Sequence, residues 1–111
     1  MARSKRSIEH AITLDGHKLV WWLHREQQLT TEDGWKGLAI HVRVAEGVRR
    51  ELHMEYPVLM TQKMGAIGTD RAVINIRPVK VLQHIRQAIA DGWDPESRGG
   101  QFIYELDELP N

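Results

Sequence analysis

The chain has no cysteine. Disulfides, thiolate nucleophiles and cysteine zinc sites are therefore excluded. It also lacks an excess of either charge, with 15 Lys and Arg against 15 Asp and Glu. Nucleic-acid binders usually carry a basic surplus that displaces counterions, so a dedicated one is not expected. A zero balance also removes the repulsion that keeps copies apart, which favours a homodimer. Long apolar runs are missing too. The stretch "IEHAITLDGHKLVWWLHRE" is interrupted by Glu9, Asp15, His17 and Lys18. No leader and no membrane span are read from it, and a cytoplasmic, bacterial-type protein is expected. No glycine is followed by Lys-Ser or Lys-Thr, so no phosphate-cradling loop is present. Ser4, Ser7 and Ser97 are the only serines, and none sits in a nucleophile elbow. "GAIG" at 65–68 matches an RNA-clamping loop in letters alone, without the flanking helix pair.

What is present is ordinary for a folded domain: 111 residues, 41% hydrophobic and 27% charged. A basic arm, residues 1–6, is expected to be mobile, and residues 7–111 to form one domain. Asp15-Gly16 is a two-residue hairpin signal, because both residues tolerate positive φ. Pairing about it sets Leu14 opposite His17, Ile12 opposite Leu19, His10 opposite Trp21 and Ile8 opposite Leu23. Side chains alternate along a strand, so Ile8, Ile12, Leu14, Leu19, Trp21 and Leu23 share the core face. Val20 and Trp22 fall on the other. "QQLTTEDGWKG" reads as a polar loop with an isolated Trp35.

"LAIHVRVAEGVRRELHMEYP" alternates cleanly, with Leu38, Ile40, Val42 and Val44 inward. A two-residue turn at Glu46-Gly47 would mix the faces, whereas a three-residue turn through Val48 restores them. Val42 then meets Leu52, Ile40 meets Met54, His41 meets His53 and Arg43 meets Glu51. Pro57 ends the return strand. The aperiodic 61–72 stretch reads as a mobile loop, and "VINIR" is a short strand candidate. "RPVKVLQHIRQAIADG" is the one clear helix. It has proline in its first turn, an apolar stripe of Val81, Leu82, Ile85, Ala88 and Ile89, and a glycine stop at Gly92. "GQFIYEL" alternates as a closing strand. The fold expected is α+β: an antiparallel sheet of two hairpins plus a C-terminal strand, with the helix packed on one face.

The segment "ADGWDPESRGGQF" has a structural reason at nearly every position. Gly92 stops the helix, Trp93 folds back on its last turn, Asp94-Pro95 starts a turn, and Gly99-Gly100 leads into the strand. Arg98 alone has no local role. With "ITLDGHKLVW" and the second hairpin, this ending resembles a set of small bacterial proteins, some of mobile gene-cassette type. They share an Ala-Ile…Gly-Trp-x-Pro…Gly…Phe ending. The resemblance implies a compact α+β domain and carries no assigned activity.

Six histidines raise the question of a metal or ligand site. His41 and His53 face each other, Arg43 lies beside them, and His24 and Glu55 could lie near. No His-x-His, HExxH or helical His pair accompanies them, so solvated strand histidines are the simpler account and no metal or other cofactor is expected. Four tryptophans are many for this length. Trp22 and Trp35, with Val20 and His24, suggest an interface, since aromatics beside polar rims mark contact sites. The leading expectation is a non-enzymatic binding or interaction domain that self-associates. The alternative is a small-ligand or metal-binding protein, or an enzyme, using His41, His53 and Arg43. Third is a weak nucleic-acid binder using Arg3, Lys5, Arg6, Arg49 and Arg50.

Overall fold

The computed structural model describes residues 8–32, 34–59 and 74–111. The expected mobile arm, residues 1–6, and the expected 61–72 loop lie outside the described residues. The first hairpin forms as the Asp15-Gly16 signal requires. Asp15 and Gly16 both have positive φ, at 50° and 85°, which matches the twist of the flanking strands. Strands β1, His10–Leu14, and β2, His17–Arg25, pair with His10 opposite Trp21 and Leu14 opposite His17. Ile8 does not join them. It precedes β1 and is 76% exposed, so it is removed from the core face.

The polar loop is also corrected. It contains a short hairpin, β3 (Gln28–Thr30) and β4 (Gly34–Lys36), with Leu29 opposite Trp35. A three-residue strand carries too little periodicity to be read. Next come β5, Ala39–Val44, and β6, Leu52–Glu55, in the register parity predicts: His41 faces His53 and Val42 faces Leu52. The ladder stops there. Arg43 reaches Glu9 across the sheet instead of Glu51. One reason is that β5 continues on its other side, where Val44 pairs with Leu19.

The helix α1 spans Pro78–Ala90, with proline at its start. Of the VINIR candidate, Ile74–Arg77 are described and are not strand. At the other end, the Gly92 N–H donates to Ile89 O at 3.1 Å and the Trp93 N–H to Ala88 O at 2.9 Å. That is the paired bond pattern of a Schellman cap, with Trp93 buried in the same core cluster as Ala88. Gly92 has φ 126°. A Cβ there would meet only the Phe102 ring at 3.6 Å, an ordinary contact. Backbone strain, not space, thus sets the penalty. Gly92→Ala is expected to cost about 1 kcal/mol or more, and Arg98→Ala, exposed and without a hydrogen bond among the described residues, close to nothing. Urea midpoints check both.

The chain leaves β6, passes through α1 and returns as β7, Phe102–Glu105, beside β6 and parallel to it. The five-stranded sheet has the order β1-β2-β5-β6-β7. It is antiparallel except for this last pair. Alternation in "GQFIYEL" predicts a strand but says nothing about direction; the crossover decides it. One sheet face, with Leu19, Trp21, Ile40, Val42, Leu52 and Met54, packs with Val81, Ile85 and Ala88 of the helix. His84 joins this helix face at 1% exposure, which the apolar stripe did not predict. Its Nδ1 meets the Tyr56 hydroxyl at 2.9 Å, and its Nε2 lies 3.6 Å from Glu108. Burial lowers its pKa. The opposite sheet face carries the histidines and is called the open face below. No described helix of this protein is long and apolar enough to cross a membrane.

Candidate functional site

Strands β2, β5 and β6 place three histidines together at the centre of the open face. Alternation alone brings His41 and His53 there, as predicted. The third, His24, follows Val20 and Trp22 onto the same face by alternation and sits at an irregularity. Leu23 pairs with Ile40 and Arg25 with Ala39, so His24 is an extra residue with no partner. A bulge of this kind re-aims side chains. Here it sets Arg25 on the histidine side beside His24. Arg25 is then held from two directions. Its Nε donates to Gly37 O at 2.9 Å, and its Nη2 to Glu55 Oε1 at 2.7 Å. Gly37 itself is pressed against the end of β6, where a Cβ would lie 2.1 Å from the Tyr56 carbonyl oxygen.

The rings are nested. His24 stacks on His41 with centroids 3.9 Å apart and planes within 11°. His41 Nε2 is 2.6 Å from His53 Nδ1, and His53 Nε2 is 2.5 Å from Glu55 Oε2. The result is a continuous hydrogen-bonded chain, Arg25–Glu55–His53–His41. On the far side of His41, Nδ1 lies 3.9 Å from Glu51 Oε1. Trp22 meets His41 edge-on at 5.6 Å, and the Arg43 guanidinium lies 5.6 Å from the Trp22 ring centre.

Electrostatics follow from this crowding. Burial, and then the neighbouring His24 and His53, lower the His41 pKa to about 4. His24 is lowered by burial, then by His53 and Arg25. For Glu55, burial works against the charge. The hydrogen bonds from His53 and Arg25 outweigh it and hold the carboxyl below its usual range. At neutral pH the centre of the face is a neutral imidazole pair, His24 and His41, beside an ionised, fully engaged carboxylate. A neutral imidazole held in one orientation by a carboxylate relay can accept a proton or a hydrogen bond, the working state of a general base or a ligand-binding histidine.

A tetrahedral metal ion needs three or four nitrogens or oxygens aimed at one point. Among the described residues no group of His, Asp or Glu has that arrangement. The near-parallel stack of His24 on His41 points their nitrogens alongside each other instead of at a common centre.

The other candidates are scattered. Val20 and Trp22 are half-buried on the open face beside the cluster. Trp35 is half-buried in the separate two-stranded sheet. Arg49 pairs with Glu96 at 3.7 Å. Arg50 donates to Gly100 O at 2.8 Å and lies 5.2 Å from the Phe102 ring centre. The arginine pair is thus engaged inside the fold. Arg3, Lys5 and Arg6 lie outside the described residues. Arg25 was missed as a site residue. Strand parity sends it to the core face, and only the bulge reverses it. Alternation already puts Glu51 and Glu55 on the histidine face; the structure adds their contacts, Glu55 with His53 and Glu51 with His41. Comparisons with protein-family models, curated proteins and solved structures return no match.

Proposed function

We propose that the open face is a binding surface for a small polar ligand, centred on His24, His41 and His53. The observation that carries this reading is His41. It is an ionisable ring at 7% exposure, anchored through His53 to Glu55, and its pKa is lowered to about 4. Perturbed ionisable groups with a specific partner chain cluster at working sites, although structural networks produce them too.

A thermal-shift panel of small amines, carboxylates and phosphates tests the proposal. At least one class is expected to raise the melting temperature, and His24→Ala is expected to abolish that gain. His24 is exposed and unpaired in the β-ladder, so its loss leaves the fold intact. A panel with no stabilising class, or a gain that survives His24→Ala, would falsify the proposal.

Self-association across the same face is the second reading. Ile103, 63% exposed, lies on it opposite His53, and Val20 and Trp22 are only half-covered. Exposed apolar side chains ringed by polar groups suit a contact between copies. Sedimentation equilibrium over a concentration series is expected to show a dimer that Trp22→Ala weakens. A strict monomer at every concentration sinks this reading.

A further inference from the structure

We infer that the gap between His41 and Glu51 is a subsite for a cationic nitrogen, a primary ammonium or a guanidinium, on a small ligand. The inference rests on the open face being a binding surface and names what it takes. An ionised Glu55 has no hydrogen to give, so His53 Nε2 must donate to it. We assign His53 the singly protonated form whose one N–H is given to Glu55, which leaves Nδ1 as an acceptor. His41 Nε2, 2.6 Å away, must then be the donor of that pair. His41 Nδ1 is left bare, as an acceptor.

Facing it at 3.9 Å is Glu51 Oε1, which is also an acceptor. Two acceptors cannot bond each other. A nitrogen with two or more N–H groups can sit about 2.9 Å from both and satisfy each. Glu51 has capacity for it. Among the described residues its one other side-chain hydrogen bond is a long one, with Gln101 Nε2 donating at 3.4 Å. Access comes from the Glu51 side, where the side chain is 37% exposed against 10% for His41.

Charge selects the same ligand. Glu51, Glu55 and Glu105 lie on this half of the face, while Arg25 is committed to Glu55 and Arg43 to Glu9. The local balance is negative, which draws a cation and repels an anion. Beside the gap, Trp22 already accommodates the guanidinium of Arg43 near its ring. A carboxylate or phosphate would meet two lone pairs and no donor. A transition-metal ion would find two ligands in the gap, short of the three or four it needs.

The test follows the histidine ring nitrogens by NMR at pH 7, with methylammonium, methylguanidinium, acetate and zinc as separate probes. The two cations are expected to shift His41 Nδ1 saturably, and acetate to leave it unmoved. Glu51→Gln, isosteric and partly exposed, is expected to weaken the cations roughly tenfold, the loss of one charge-assisted hydrogen bond. Unchanged affinity in Glu51→Gln overturns the inference. So does acetate moving the histidines while the cations do not, although the binding face itself then stands. Stoichiometric zinc capture by His24, His41 and His53 likewise overturns the cation subsite in favour of a metal. If no probe moves any ring, the subsite falls, and the phosphate arm of the thermal-shift panel decides the binding face.

Discussion

Trp93→Ala is expected to bring this domain close to unfolding at room temperature. The ring is 1% exposed and belongs to the main core cluster. It closes the helix cap over Ala88, and its Nε1–H donates to Arg50 O at 3.0 Å. Truncation removes the packing, opens a cavity and leaves that carbonyl without its partner. Buried tryptophan-to-alanine changes cost about 3–5 kcal/mol. A small domain holds about 5–15 kcal/mol in all. With a urea slope of about 1–3 kcal/mol per molar, the midpoint should fall by roughly 2 M. Trp93→Phe keeps most of the packing and loses only the hydrogen bond, so it should cost markedly less. The corner around residues 90–102 is then a structural device. A Trp93→Ala midpoint equal to that of the parent would show that the ring is not packed, and would make the corner a binding loop.

Acid is expected to destabilise the protein before its carboxylates protonate. His41 titrates near 6.5 in an unfolded chain and at about 4 in the fold. Between those values the unfolded chain binds the extra proton, so stability is full above pH ~6.5 and falls as the pH drops towards 4. A lowering of this size corresponds to roughly 3 kcal/mol, since one unit is worth about 1.4. His24 and His84, both lowered by burial, act in the same direction. Glu55 adds its share at lower pH, because a carboxyl held below its usual range destabilises the fold when it protonates. Unfolding free energies at pH 7.5, 6, 5 and 4 for the parent and for His41→Gln isolate the His41 part. The variant should show a clearly shallower acid limb. Equal slopes for the two proteins would mean that His41 is not held neutral by its surroundings.

The local elements of this fold are legible in the residues. Asp15-Gly16 specifies the first turn and, through it, five cross-strand pairs. Parity across "LAIHVRVAEGVRRELHMEYP" yields the second register and puts His41 against His53. Pro78 and Gly92 bracket the helix, and Trp93 follows as its hydrophobic cap. Each of these rests on backbone chemistry within a few residues, or on a two-residue period that a buried face enforces. The departures have a common origin. β3 and β4 are too short to show a period. Ile8 fits the alternation, yet β1 begins at His10. Arg43 turns to Glu9 because β1 reaches it across β2, an arrangement in which sequence neighbours have no say.

For the candidate site, the sequence by itself determined that His41, His53, Glu51 and Glu55 share one face, because side chains on a strand alternate and the other face is apolar. Only the tertiary structure decided that Arg25 joins them. That depends on β2 pairing with β5 and taking up an extra residue at His24, a property of two strands separated by the β3–β4 hairpin. The low pKa of His41 is likewise tertiary. An imidazole's proton affinity depends on the water it loses and the charges it gains, and three strands and a stacked ring set both.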